Sequence, residues 1–245
     1  MSNHARLSPS ASSRWLKCSG SLTLEELYPN TTNQYAEYGT AAHELAAESF
    51  VALTHPNVKM GAPMSNGVVV DEEMVEHVRT YLSFLLKLRR SNDIYIEQRL
   101  DFSDALGIPD SFGTGDALIV SKTTLKIIDL KMGKGVKVNA NNNSQLMLYA
   151  LGALAKFPDH KFQKIEMIIY QPRIAGHISR WVCTPKRLRE FAATAKIAAL
   201  KATSDKIDFT PGKEQCRFCK AKKDCFAYER FSSFGPIDEF DVVTG

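Results

Sequence analysis

Two apolar segments, residues 113–120 and 124–131, are separated only by Ser121-Lys122-Thr123, and each carries an aspartate among residues that read as interior strand. A connection that short joins strands antiparallel, because a parallel return needs a crossover of a dozen residues or more. The midpoint between Asp116 and Asp129 falls inside that turn, so the simple hairpin register sets them opposite each other. Like charges directly opposed destabilise a sheet unless a cation lies between them. Asp129 and Lys131, two apart, share one face of their strand while Leu130 turns into the core. Two carboxylates beside an ammonium make a hard-oxygen site suited to Mg²⁺ or Mn²⁺. The bland alternative is a solvated Asp-x-Lys triplet. The apolar flanks 117–120 and 125–128 weigh against it, since an unpaired charge on an interior strand is costly.

Around this hairpin, periodicity predicts a short helix opening at Ser8-Pro9 and longer helices over 35–53, 71–90, 144–157 and 185–203. Strands are expected at 94–102, 165–170 and 177–183, the last two as a hairpin around Pro172 and Gly176, with a short apolar strand at 67–70. Residues 132–143 are Gly- and Asn-rich, hence loop, and carry Lys134 and Lys137. The order α-β-β-β-α-β with helical additions predicts an α/β sandwich around a central mixed sheet. It is expected as a single domain over 1–230, with its core at about 94–183, N-terminal helices at 8–90, a Cys-rich segment at 213–228 and a loose tail from 231.

The balance of 31 basic and 27 acidic residues, net +4, permits nucleic acid as a partner without demanding it. No apolar run approaches the ~18 residues of a membrane span, and the polar start MSNHARLSPSASSRWLK lacks the apolar centre of a secretory signal. A cytoplasmic protein with no membrane partner is expected, its oligomeric state not encoded. In that setting five cysteines point to metal or thiol chemistry rather than a disulfide framework. Cys216-x2-Cys219-x5-Cys225 offers three thiolates and Cys18 a fourth; Cys183, mid-strand, reads as a small buried residue. On spacing alone, tetrahedral Zn²⁺, a [4Fe–4S] cluster and free thiols all stay open. Lys213, Arg217, Lys220, Lys222 and Lys223 surround the group, as phosphate contacts or as a solvated loop.

Gln145 and Tyr149, four apart, lie on one helical face, and Gly39-Thr-Ala-Ala-His43 places an imidazole on a helix of small residues. A lone helical His is usually structural, and Tyr149 and Gln145 have a core-and-cap reading. Together, however, G-x-x-x-H (39–43), G-x-x-D (113–116), D-x-K (129–131) and Q-x-x-x-Y (145–149) resemble, in order, the RecB-like branch of the PD-(D/E)xK nuclease superfamily. The likeness spans roughly residues 8–230. The segment R-L-S-P-S-x-x-x-x-W-x-x-C is similar to phage-encoded proteins of that branch.

The resemblance implies a restriction-endonuclease-like αβββαβ core and metal-dependent cleavage of DNA phosphodiester bonds, with exonuclease action the first expectation. His43, Asp116, Asp129 and the Leu130 carbonyl would be metal ligands. Lys131 would position or deprotonate water, and Gln145 and Tyr149 would steady substrate or lysine. Glu97, on the preceding strand, is expected to be solvated, with metal binding a weaker reading. Lys134, Lys137, Arg217 and Lys220 would follow the DNA backbone. Iron–sulfur relatives, including the AddB-type nuclease domain and the CRISPR-associated adaptation exonucleases, place one Cys before the core and three after it. By that likeness Cys18, Cys216, Cys219 and Cys225 would hold a structural [4Fe–4S] cluster, with Zn²⁺ the alternative. Recombination or replication proteins, in a host cytoplasm, would be the partners besides DNA. The competing reading is a non-catalytic nucleic-acid-binding protein on a nuclease-derived fold; a redox-sensing regulator is a third.

Overall fold

The computed structural model describes residues 5–30, 33–175 and 177–234. Their contacts divide into two compact units, each assembled from separated stretches of chain. One comprises the described residues of Met1–Asn30, Asp101–Gly113 and Arg189–Gly245; the other comprises those of Thr31–Leu100 and Thr114–Leu188.

Eight α-helices and five strands are formed among the described residues: α1 (Ser12–Trp15), α2 (Ser21–Glu25), α3 (Gln34–Ala52), α4 (Glu72–Arg89), β1 (Asp93–Asp101), α5 (Ser103–Leu106), β2 (Phe112–Val120), β3 (Thr124–Leu130), α6 (Ser144–Lys156), β4 (Lys164–Gln171), β5 (His177–Cys183), α7 (Pro185–Ala202) and α8 (Phe226–Phe234). The strands make one mixed sheet in the order β1-β2-β3-β4-β5, so the fold is α/β. The β2–β3 pair is antiparallel with Ala117 opposite Ile128 and Val120 opposite Leu125, the register that the three-residue turn imposes. The chain then crosses through α6 and returns as β4, parallel to β3 with Leu130 beside Tyr170. The β4–β5 hairpin is antiparallel, with Gln171 opposite His177; Gly176 lies outside the described residues.

Helix boundaries follow local chemistry. Asn33 caps α3 by accepting from the Tyr35 and Ala36 amides at 3.0 and 2.9 Å, and Asp71 caps α4 through the Met74 amide at 2.7 Å. Two acidic residues open α4 and two basic ones close it, complementing its dipole. The small residues of α3 let it lie close against its neighbours. Ala41, Ala42 and Leu45 join Val78 and Leu85 of α4 in a dry core with Ala117, Ile119, Ile128, Leu130 and Ile168 of the sheet. Each large aliphatic side chain fully buried there is worth about 1.5–3 kcal/mol of transfer free energy. α6 packs on β3 and β4, and its residues 146–153 are all buried. On β4 an acidic side chain is buried: Glu166 is 7% exposed. It pairs with Lys126 from β3 and with Arg180 from β5 at 3.0 Å.

Two expectations are corrected. The apolar stretch 67–70 does not make a strand; only a bridge between Pro63 and Val69 forms, because Met64 and Val70 drop into the core instead of alternating along a sheet edge. The chain after Tyr228 does not trail off at once, since α8 runs on to Phe234; the remainder of the expected tail lies outside the described residues.

Candidate metal centre

His43 projects from α3, Glu97 from β1 and Asp116 from β2. One donor atom of each lies within 4.8 Å of the others. His43 Nδ1 stands 3.4 Å from Asp116 Oδ1 and 4.0 Å from Glu97 Oε1. The other oxygen of Asp116 accepts the Leu130 amide at 2.6 Å. That bond crosses the hairpin just past its last ladder pair, Ala117 with Ile128.

Asp129 is 2% exposed and faces Lys131, whose Nζ donates to Oδ1 at 3.1 Å and lies 2.8 Å from Oδ2. Lys131 Nζ also donates to Gln145 Oε1 at 3.0 Å, and Gln145 Nε2 donates to the Tyr149 hydroxyl at 3.1 Å. A continuous polar chain, Asp129–Lys131–Gln145–Tyr149, thus runs from strand to helix. The i, i+4 spacing on α6 lets the tyrosine aim the amide and the amide hold the ammonium.

The electrostatics follow from crowding acids where water is scarce. At Asp116, burial would raise the carboxyl, but His43, Lys131 and the Leu130 amide outweigh it and lower it below the usual aspartate value. Asp129 goes the other way: burial, with Asp116 beside it, pushes it up to about 6 against the pull of Lys131. Burial, aided by Asp116, raises Glu97 to about 7. For His43, burial opposes the charged ring, yet Asp116 and then Asp129 carry it up to about 9. Burial likewise opposes the Lys131 ammonium, and Asp129 and Asp116 overcome it, so the lysine is held protonated.

This donor set fits a hard divalent cation: carboxylate oxygens with one imidazole, gathered in surplus of the positive charge that could neutralise them. His43, Asp116 and Glu97 open on a cavity of about 10 Å³, also lined by Tyr81 and Leu130, room for one water-sized body. The Tyr81 hydroxyl, buried in that wall, has no hydrogen-bond partner among the described residues.

The loop after Lys131 is pinned by Gln171, 1% exposed. Its amide donates to the carbonyls of Gly133 at 2.8 Å and Val136 at 2.9 Å, and its oxygen accepts the Val138 amide at 3.1 Å. On that loop Lys134 pairs with Glu73 at 2.9 Å, while Lys137 is exposed. Neither Gln171 nor Tyr81 was singled out from sequence, because nothing local marks a strand glutamine or a helical tyrosine inside an apolar pattern. Glu97 is read from sequence chiefly as a solvated strand residue, with metal binding the weaker reading; its φ of 48° departs from strand geometry, which period-two reasoning does not anticipate.

In the other unit, Cys18, Cys216, Cys219 and Cys225 line one cavity, and Cys183, buried on β5, is not among its lining residues. All five thiols are free. The N-terminal segment is fastened to the C-terminal one at two places. Ser19 Oγ accepts the Asp208 amide at 2.7 Å and donates to its carbonyl at 3.2 Å. Glu25 takes the Lys220 amide at 2.9 Å and the Arg14 guanidinium at 3.0 Å. Burial raises the Cys18 thiol, with Cys216 and Cys225 adding to the effect. The four cysteines lining this cavity are soft donors, the type that zinc and iron–sulfur clusters take and hard cations do not. Of the nearby cations, Lys220 reaches Asn30 at 2.6 Å and Arg217 lies over the Phe218 ring.

The class these features define is an α/β protein with a mixed five-stranded sheet, a carboxylate–imidazole–ammonium cluster and a separate four-cysteine cavity. Within that class the chain belongs to the family described as "Protein of unknown function (DUF2800)", which it matches over residues 4–239. Among solved structures, it is similar to the crystal structure of SSO0001 at 13% identity and a TM-score of 0.35, over 87% of this chain and 83% of that one.

Proposed function

We propose that the protein is a metal-dependent DNA nuclease that acts in the cytoplasm on DNA ends and carries a structural metal group on its four cysteines. The observation that supports this most is that Asp116 lies between His43 and the Leu130 amide while Asp129 pairs with Lys131 on the neighbouring strand, the two acids being within electrostatic reach of each other. A solvated triplet has no need to bury Asp129 or to hold its lysine through Gln145 and Tyr149.

His43, Asp116 and Asp129 would hold Mg²⁺ or Mn²⁺, with the Leu130 carbonyl as a further oxygen. Such an ion, when bound, polarises a phosphate and lowers the pKa of its water. The protein's own part is electrostatic and positional. The Lys131 ammonium, kept protonated by its acids, offsets charge growing on the phosphate oxygens. Gln145 holds that ammonium in place, and Tyr149 holds Gln145. Lys137, exposed on the loop that Gln171 pins, is available to the phosphate backbone. Cys18, Cys216, Cys219 and Cys225 would hold a [4Fe–4S] cluster, or zinc in the alternative, joining the two ends of the chain. Recombination or replication factors would be its protein partners.

The experiment is incubation of the full chain with end-labelled linear and closed circular DNA, with Mn²⁺ and with EDTA. Mn²⁺-dependent loss of linear DNA, with circles spared, is expected. Retarded but uncut DNA under all conditions would replace this reading with that of a binding module.

A further inference from the structure

We propose that the outer face of α4 is a self-association surface, on which a second copy of this chain packs its own α4 antiparallel about a twofold axis. The inference goes beyond the nuclease reading and needs neither metal nor DNA.

Its first support is a trough that the fold leaves open. Two cavities of about 330 and 530 Å³ flank α4 and meet at His55 and Arg79, which line both. Phe50, Leu53, Leu82 and Leu86 line the first, and Met60 and Val75 line the second. Leu53 is 87% exposed, Leu86 53% and Met60 46%. Large apolar side chains gathered around one trough mark an interaction site, unlike the single exposed residues scattered over any monomer.

The second support is the order of charges beside that trough. Glu72, Glu76, Arg79, Ser83 and Leu86 recur at helical spacing on one stripe of α4, and Arg90 continues it at the helix end. Acid opens the stripe and base closes it, so the stripe is complementary to its own reversal. With the axis at the level of Tyr81, Glu72 meets Arg90 of the second copy, Glu76 meets Leu86 and Arg79 meets Ser83. A twofold interface makes each of these meetings twice. Parallel pairing would instead set acid against acid and base against base. Glu76 and Arg79 already pair within the helix at 2.7 Å, whereas Glu72 and Arg90 make no ion pair among the described residues. The end charges are therefore the ones left for a partner, and charges at a rim set orientation and register.

The 18 residues of α4 span about 27 Å. Together with the segment 53–60 beside them they suit an interface at the lower end of the specific range, about 600 Å² per partner. A reversible dimer in the micromolar range is expected.

The test is sedimentation equilibrium of the full chain across the micromolar range, with thermal melts of dilute samples as a folding control. The parent should dimerise. Leu86→Glu should weaken the dimer at least ~10-fold, and Glu72→Arg and Arg90→Glu should each weaken it by placing like charges at both ends. All three residues are exposed, so the variants should melt near the parent. An equimolar mixture of Glu72→Arg and Arg90→Glu should associate more tightly than either variant alone, because every end then meets its opposite. A parent that stays monomeric throughout the range overturns the proposal and leaves the trough to a different protein. Parental association in all three variants overturns it by placing the interface elsewhere. A mixture no tighter than its separate components overturns the antiparallel pairing.

Discussion

The Leu130 amide donates to Asp116 Oδ2 at 2.6 Å, leaving the carboxylate's other oxygen toward the His43 ring. One residue thus both ties two strands and faces the candidate ion. The two duties separate by mutation. Asp116→Asn retains an acceptor for the amide and removes a buried charge, so it should fold and melt like the parent while Mn²⁺-dependent cleavage disappears. Asp116→Ala strands the Leu130 N–H and should cost about 1–3 kcal/mol besides. Denaturant unfolding of the two variants beside a nuclease assay checks this; full turnover in Asp116→Asn would remove Asp116 from the chemistry.

The cluster predicts an unusual pH dependence for the metal-free protein. Asp129 rises from 3.8 to about 6, Glu97 from 4.5 to about 7 and His43 from 6.5 to about 9. Each group binds its proton more tightly folded than unfolded. Each therefore contributes stability that is complete below its unfolded value and lost as pH rises through its folded one. All three act in the same direction, so in EDTA the melting temperature should fall between pH about 4 and about 9. The lowered Asp116 acts oppositely, but only in stronger acid. Mn²⁺ competes for the same groups, so its affinity should climb over that window and flatten the melting profile. A pH-independent melting temperature in EDTA would contradict this electrostatic account.

In the cysteine-bearing unit, Cys216→Ser should lower the melting temperature and abolish visible absorbance if the group is iron–sulfur. Analysis of anaerobically purified protein should return about four irons per chain; one zinc and no colour would select the alternative. Glu25→Ala should mimic part of the loss without touching a sulfur, because it frees the half-buried Arg14 and the Lys220 amide together. Breaking such a pair costs about 3 kcal/mol. Parental stability in Glu25→Ala would show that the clasp is not what brings Cys18 to its partners.

Gly115 precedes Asp116 for a steric reason. A Cβ there would come within 2.9 Å of Leu100 Cδ1, and Leu100 is fully buried. Gly115→Ala should therefore cost about 1–3 kcal/mol and disturb the neighbouring aspartate. Leu100→Ala in the same chain should recover part of that cost, a positive coupling that a double-mutant cycle measures. Simple additivity would show that the contact is not the cause.

Much of this was legible in the order of residues. A three-residue turn between apolar segments leaves one register, so the pairing of Ala117 with Ile128 follows from counting. Asp71 and the charges of α4 mark that helix's ends because capping and dipole effects are local. The i, i+4 spacing of Gln145 and Tyr149 gave their shared face. The stretch 67–70 and the continuation of α8 past Tyr228 differ from expectation because apolar content does not say whether a short segment finds a strand partner or a helix neighbour.

What sequence alone determined is whatever acts within a turn or two of chain: strand register, helix ends, the face shared by Asp129 and Lys131, and a count of thiols. Only tertiary structure decided the rest. It bent β1 at Glu97 until a presumed surface acid faced His43, put beside them a Tyr81 hydroxyl with no hydrogen-bond partner among the described residues, and set Gln171 under a loop thirty-odd residues away in sequence. Those outcomes depend on burial and on charges brought together by distant elements, whose energies have no counterpart among neighbours along the chain.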